Sequence, residues 1–255
     1  MHRDAMNDFL KAATEAARQA GDLIRTHFGK QLVVNAEEAH DIKLELDERS
    51  QDLITQSLLS RFPTHSVLGE EGSSAATGSD HEWVIDPIDG TVNFFYGIPH
   101  FCISIALREK SKILVGVIYD PMRDELWQAT CESDTLLNGR VVTVSNHGDV
   151  SQSIVSVGFS KTGLGIEAGL QTFKTLILRA RKCRMMGSAA LDLAYVACGR
   201  YDAYIERSVN WWDVAAGVLL VERAGGRIAI EPSKVHDGKL AVVATNGKIS
   251  LPEVE

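Results

Sequence analysis

The sequence predicts a fold of mixed class in two halves, an antiparallel α+β half over residues 1–140 and a mixed α/β half over 141–255. Three observations predict it. Apolar residues near the N-terminus recur at helical spacing, three strand-like runs follow one another between 101 and 129, and beyond 153 strand-like and helix-like stretches alternate. A meander of neighbouring strands pairs antiparallel, whereas strands separated by helices need crossovers. With 255 residues and 45% apolar composition, the chain can bury a large core as one large domain or two closely packed lobes.

Taken in order, apolar positions 9, 10, 13, 16, 17, 20 and 24 predict an amphipathic helix from Met6 to His27, stopped by Gly29. A second helix is predicted from Asp47 to Ser60, broken by Pro63. Ser66-Val67-Leu68 reads as a short strand that delivers Gly69-Glu70-Glu71 at its end, and Gly72 to Asp80 as a polar loop. Trp83-Val84-Ile85 is a buried-strand pattern leading into the polar run Asp86-Pro87-Ile88-Asp89-Gly90-Thr91. Strands near 101–107, 113–119 and 125–129 follow, with Asp120-Pro121-Met122-Arg123 as the turn between the last two. After Asn138-Gly139 come a short strand (Val141 to Val144), strand 153–157, helix 166–180, strand 182–186, helix 188–198, strand 201–205 and helix 213–224. Gly225-Gly226 closes the last helix, and Arg227 to Ile230 and Leu240 to Ala244 supply the final strands.

The formal charge of -8 disfavours wholesale binding to nucleic acid or to an anionic membrane, and an anionic substrate would need bound cations to invert the local field. No run approaches the roughly 18 apolar residues of a membrane span, and the charged N-terminus does not read as a secretion signal, so a cytoplasmic location is expected. Cys102, Cys131, Cys183 and Cys198 show no Cys-x-x-Cys spacing and indicate neither a disulfide framework nor a zinc site. The eight histidines show no metal-ligand spacing, and His100, just after the polar run, is the one to watch. Arg179, Arg181, Lys182 and Arg184 read as a solvated helix end and strand edge; facing an active site, they would bind a second phosphate.

Chemistry concentrates at strand ends. Asp86 and Asp89, three apart with Pro87 between them, can converge on one cation or bridge two, and the Ile88 carbonyl can join them. An all-oxygen set suits Mg²⁺ or Mn²⁺ rather than zinc. Gly90 permits close backbone approach, and a short helix opening at Thr91 would offer free N–H groups to phosphate. By itself such a fragment is also an ordinary turn. Glu70 and Glu71 after Gly69 read equally as a solvated loop, and Asp213 after Trp212 as a helix cap that can also reach a cation.

In this order and context, however, the fragments resemble the inositol monophosphatase family of lithium-sensitive phosphatases. The matching segments are Gly69-Glu70-Glu71, the run from Trp83 to Thr91 with Asn93-Phe94, Gly187-Ser188-Ala189-Ala190, and Trp212-Asp213-Val214-Ala215-Ala216-Gly217, closing at Ala224-Gly225-Gly226. The resemblance spans nearly the whole chain. It implies a layered αβαβα sandwich of the sugar-phosphatase type and a phosphoric monoester hydrolase using two or three Mg²⁺ ions, with Mn²⁺ as a substitute. It implies that Glu70, Asp86 and the Ile88 carbonyl hold one ion, that Asp86, Asp89 and Asp213 hold a second, and that Glu70 shares a looser third. Thr91, oriented by Asp47, would work with Glu70 to activate the attacking water, and the Gly90 and Thr91 amides would hold phosphate. Glu206 and the segment Gly187, Ser188 and Ala189 would contact the alcohol, with Ser160 as a neighbour.

The implied substrate is inositol monophosphate or a similar small phosphorylated polyol or sugar, and the implied assembly a homodimer. Fructose 1,6-bisphosphate, 3'-phosphoadenosine 5'-phosphate, NADP and histidinol phosphate are alternative substrates with the same metal chemistry. A regulatory, macromolecule-binding protein that retains the metal site is an alternative of another class. The chain departs from the family's Asp-x-Val-Thr-x-x-Asp in reading Asp41-Ile42-Lys43-Leu44-Glu45-Leu46-Asp47. Val92 follows Thr91 where the sulfonucleotide and histidinol-phosphate relatives carry Lys.

Overall fold

The computed structural model describes residues 2–38, 41–74, 79–160 and 163–251. Helix α1 (His2–His27) starts earlier than the periodicity predicts. An unanticipated hairpin follows, β1 (Val34–Glu38) with β2 (Asp41–Leu44), running straight into α2 (Glu45–Arg61). Next come β3 (Ser66–Gly69), β4 (Gly72–Ser74), β5 (His81–Asp89), α3 (Thr91–Phe95), β6 (Cys102–Glu109), β7 (Lys112–Asp120), β8 (Glu125–Thr130), β9 (Leu136–Leu137) and β10 (Arg140–Val141). The second half contributes β11 (Ile154–Val157), α4 (Gly163–Ile177), β12 (Lys182–Arg184), α5 (Ala189–Ala197), β13 (Ala203–Val209), α6 (Trp211–Arg223), β14 (Arg227–Pro232) and β15 (Leu240–Thr245).

Strands β3 to β10 form one eight-stranded sheet in the order β10-β9-β8-β7-β6-β5-β3-β4. Its meander is antiparallel as expected, but β3 runs parallel to β5, so the sheet is not antiparallel throughout. The start of the expected polar loop after Glu71 is the edge strand β4, and residues 75–78 of that loop lie outside the described residues. The second sheet runs β12-β11-β13-β15-β14, with β12, β11 and β13 parallel and β15 and β14 antiparallel. The strand expected at Val141 to Val144 shrinks to Arg140–Val141.

The partition of side chains between three apolar clusters defines the layers. Along β5, Trp83 and Ile85 join α1 and α2 in the first cluster, whereas Val84 joins α5 and α6 in the second. Along β15, Val242 and Ala244 face α5 and α6, while Val243 faces the third cluster under α4 with Val155, Val157 and Leu176. The central strands of both sheets therefore bury both faces, which is why β5, β6 and β7 read as continuous apolar runs, whereas the edge strands β4 and β14 stay largely exposed. The order of layers is α1/α2, first sheet, α5/α6, second sheet, α4, the αβαβα sandwich expected.

Helix α6 lies in the middle layer, and from Val214 to Val221 every residue is buried. Two glycines allow its close packing. A Cβ on Gly116 of β7 would fall 2.7 Å from the Ala216 carbonyl oxygen, and one on Gly217 would fall 2.5 Å from Leu193 of α5. The basic run Arg179 to Arg184 straddles the end of α4 and the edge strand β12.

Candidate active site

Asp86 and Asp89 do not sit on a turn after β5; both belong to that strand. The ladder with β6 jumps from Asp86↔Ser104 to Asp89↔Cys102, so Pro87 and Ile88 together oppose a single residue. Pro87 has no N–H to give to a ladder, and a bulge is where a strand tolerates that loss. In a regular strand, residues three apart face opposite sides. The extra residue turns Asp86 and Asp89 toward the same cavity.

Glu70 arrives from the end of β3, where its N–H donates to the Ile85 carbonyl. Asp213 arrives from the first turn of α6, which begins at Trp211 rather than at Asp213, and its Oδ2 accepts the Asn210 N–H at 2.8 Å. Glu70, Asp86 and Asp213 each offer a carboxylate oxygen, and these atoms all lie within 4.8 Å of one another. Asp89 stands beside the trio, its Oδ2 accepting Ser188 Oγ–H and Ala190 N–H, each at 2.6 Å.

The electrostatics of these acids fit a cation. Burial, then Glu70, Asp89 and Asp213, push Asp86 well above the usual carboxylate range; burial and Asp213 lift Asp89 to about 7. Acids crowded together out of water hold protons or a metal. The donor set is all oxygen, which fits a hard divalent ion such as Mg²⁺ or Mn²⁺. The Cys102 thiol, 3.8 Å from Asp89 Oδ2, is pushed well up by burial and these acids and stays a neutral S–H.

Gly90 precedes α3 at φ 101°, and a Cβ there would press on the His100 carbonyl at 3.0 Å and the Gly187 carbonyl at 3.3 Å. Thr91 opens α3. Its Oγ1 lies 2.9 Å from the Ile88 carbonyl oxygen and 3.4 Å from Asp47 Oδ1. Asp47 is buried behind Thr91, with Oδ2 accepting the Leu44 N–H at 2.8 Å, and burial followed by Glu71 raises its carboxyl to about 7.

This geometry accounts for the departure at Lys43-Leu44. A backbone amide grips Asp47, the Leu44 side chain is buried, and Lys43 pairs with Glu71 at 3.3 Å. The side chain of Asp41 lies outside the described residues.

A single cavity of about 490 Å³ is lined by Glu70, Asp86, Ile88, Asp89, Gly90 and Thr91 at one end and by Gly187, Ser188, Ala189, Glu206, Asp213 and Ser160 around it. Of the residues expected at the site, Asp47 alone is off the wall, reaching it through Thr91. Ser188 turns its hydroxyl to Asp89 and to the Leu191 N–H, so it also caps α5. Glu206 is raised to about 8 by burial and the nearby Asp213 and Asp89, and its Oε2 accepts Tyr204 Oη–H at 2.6 Å.

Neither His100, buried against Tyr195, nor any of Arg179, Arg181, Lys182 and Arg184 lines the cavity. The basic run thus gives no support for a second phosphate. Sequence reasoning named Asn93 without a role and missed Asp192, Ser208 and Lys239. Asn93 Nδ2–H donates to the Met186 and His100 carbonyls at 2.8 and 2.9 Å, tying α3 to the segment before α5. Asp192, Ser208 and Lys239 also line the cavity, and only the i+4 spacing of Asp192 from Ser188 signalled any of the three.

The inositol monophosphatase family model matches residues 5–248. The chain is 41% identical over 233 residues to the Nus factor SuhB of Xylella fastidiosa, covering 89% of this chain and 82% of that one. It is 38% identical over 254 residues to inositol monophosphatase 2 of Solanum lycopersicum, covering 96% of each. Among solved structures, the extragenic suppressor protein suhB from Bartonella henselae superposes with a TM-score of 0.86 at 32% identity, covering 94% of each chain. The inositol monophosphatase from Anabaena gives 0.82 at 36% identity, covering 96% of this chain and 92% of that one. The clustered acids at the mouth of the middle layer and these matches over almost the whole length place the chain in the inositol monophosphatase family, as a metal-dependent phosphomonoesterase.

Proposed function

We propose that the protein hydrolyses the phosphate monoester of a small polyol, with inositol monophosphate as the leading substrate. The observation that carries this reading is the meeting of Glu70, Asp86 and Asp213 within 4.8 Å, on the wall of a cavity roomy enough for a sugar phosphate. Glu70, Asp86, Asp89, Asp213 and the Ile88 carbonyl would hold two or three Mg²⁺ ions. When bound, such ions supply the positive charge that offsets an anionic ester and make a nearby water more acidic.

The chain's own groups do the rest. The Gly90 and Thr91 amides seat the phosphate. Thr91 Oγ1, with its proton directed to Asp47, accepts a hydrogen bond from the attacking water and fixes it in line with the scissile bond. Glu70 receives the water's proton. Asp47, held by the Leu44 amide, accepts the Thr91 hydroxyl proton, and the departing alcohol oxygen takes up a proton as its bond to phosphorus breaks. Gly187, Ser188, Ala189 and Glu206 border the alcohol.

Phosphate release from inositol 1-phosphate by the purified protein, with Mg²⁺ and with chelator, tests the reading. Activity is expected only with the metal, and no release from any polyol or sugar phosphate under varied metals would sink it. Asp89→Asn is expected to lose about 10²-fold or more in kcat while keeping its circular dichroism spectrum. Inhibition by LiCl and a homodimer by light scattering belong to the same proposal.

A second reading is favoured by relatives that carry the name Nus factor SuhB, from Xylella fastidiosa, Pseudomonas aeruginosa and Pasteurella multocida at 39–41% identity. A role as a Nus factor, independent of catalysis, predicts that Asp89→Asn retains the cellular function and that a macromolecular partner co-purifies. Loss of that function in the inactive variant would favour the enzymatic role alone.

A further inference from the structure

A second cavity, of about 210 Å³, lies between α4 and the β14–β15 hairpin, and the proposed reaction gives it no work. Ala168 of α4, Pro232 of β14 and Val235 of the loop after β14 supply apolar walls, and Arg207 of β13, Lys234 and Glu231 supply its charge. Apolar walls with a few placed polar groups are the usual form of a small-ligand site.

Arg207 is half-buried and held at one edge of its guanidinium. Its Nε–H donates to Thr172 Oγ1 at 3.4 Å, and that hydroxyl, itself buried, gives its proton to the Ala168 carbonyl at 3.0 Å. Among the described residues no carboxylate pairs with Arg207 or Lys234, and the two Nη groups of Arg207 have no hydrogen-bond partner. A guanidinium fixed in this way with its fork open suits a carboxylate. Lys234 adds a second positive charge, while Glu231 on the same cavity disfavours a dianion, so a monocarboxylate fits better than a phosphate. The apolar walls take a short aliphatic body.

This cavity stands back to back with the catalytic one, since Glu206 and Ser208, on either side of Arg207, line the catalytic cavity. The ladder between β13 and β15 jumps from Glu206↔Val242 to Val209↔Leu240, so Arg207 and Ser208 together oppose Ala241 in a bulge. There the Arg207 carbonyl accepts Ser233 Oγ–H at 2.7 Å, and the Ser233 N–H donates to the Lys239 carbonyl at 2.9 Å. Lys239 lines the catalytic cavity. One hydrogen-bonded path thus joins the two cavities.

We infer that the second cavity is an effector site for a small aliphatic monocarboxylate, bound by the Arg207 fork and relayed to the catalytic cavity through Ser233, Lys239 and the neighbouring Glu206. A ligand that draws Lys234 and Val235 toward Arg207 shifts the loop that carries Lys239. Binding is independent of the phosphatase reading; the relay rests on it.

The probe is butyrate, with butanamide as its uncharged isostere, followed by ligand-observed NMR on the Mg²⁺-loaded protein. Butyrate is expected to bind with a Kd on the order of 1 mM, and butanamide about tenfold more weakly or worse. Arg207→Ala removes the fork and Val235→Trp fills the cavity from a loop; each is expected to weaken butyrate about tenfold or more, while Asp89→Asn keeps wild-type binding. Saturating butyrate is expected to shift KM for inositol 1-phosphate about fivefold in wild type and to leave it unmoved in Arg207→Ala. No binding of butyrate, equal binding of butanamide, or binding unchanged in Arg207→Ala overturns the site. Loss of binding in Asp89→Asn overturns it too, because the carboxylate then sits on the metal centre. Binding without a change in KM overturns the relay. Absence of turnover with Mg²⁺, with butyrate still bound, overturns the phosphatase reading and leaves the site standing.

Discussion

Thr91 has one hydroxyl proton and two acceptors in reach, the Ile88 carbonyl at 2.9 Å and Asp47 Oδ1 at 3.4 Å. In the proposed reaction this proton decides which lone pairs face the water. Thr91→Val removes the hydroxyl and keeps the shape, so kcat is expected to fall about 10²-fold or more with little change in melting temperature, and Thr91→Ser to recover most of the loss. Steady-state kinetics beside a thermal melt separate the two effects. The acids and Thr91 were legible in the sequence because each sits in a short, chemically unusual string. Asp47 was legible as an acid but not as a held one, since its anchor is the Leu44 amide, and a backbone contact leaves no trace in residue type. Asp192 and Ser208 were illegible because a lone buried polar residue in an apolar helix or strand looks like many others.

At the scale of elements, the β5 bulge makes Asp-x-x-Asp a chelating pair, and Pro87 announced the irregularity without saying which way the strand would turn. Helix α6 shows the same limit. Its apolar character all round predicts a buried helix. That Gly217 must be bare to let α5 approach appears only in three dimensions. Gly217→Ala is expected to cost about 1–3 kcal/mol by overpacking, read as a fall in the denaturation midpoint at constant slope. The connection between α2 and β3 carries a pH-dependent contribution. His65 is 7% exposed, its ring stacks on Phe62 at 5.1 Å and His81 at 4.8 Å, and its Nδ1 has no partner. Burial, with His81, lowers it from 6.5 to about 4. Here the unfolded chain takes up the proton first, so stability from His65 is complete above pH 6.5 and drains away as pH falls toward 4. His65→Phe, measured against wild type by thermal melts, is expected to gain relative stability across that window; a pH-independent difference would refute it.

For the whole molecule, one site draws acids from β3, β5 and α6, with Asp47 of α2 behind Thr91, so its electrostatics are a property of assembly. Asp47 and Asp89 at about 7 keep protons in the folded protein that the unfolded chain, titrating near 3.8, has lost. Their contribution to metal-free stability therefore falls as pH rises from about 4 to 7, and the increase in melting temperature given by Mg²⁺ is expected to grow over the same range. Chelator returns the protein to the lower value. Asp86→Asn is expected to raise the melting temperature without metal, by removing an acid that the fold must keep protonated, and to lose most of the Mg²⁺ response. Among the described residues no helix is long and apolar enough to cross a membrane. The main helices and strands from α1 to β15, and the gathering of Glu70, Asp86, Asp89 and Asp213 at the ends of elements, follow from the sequence alone. Each of these depends on local periodicity or on residue chemistry that does not change with context. The tertiary structure alone decided that Asp86 and Asp89 face the same way, that β3 lies parallel to β5 and that Asp192 and Ser208 line the same cavity as Glu206. Those outcomes depend on register and on contacts between residues far apart in the chain, and a one-residue slip in a strand reverses every side chain it carries.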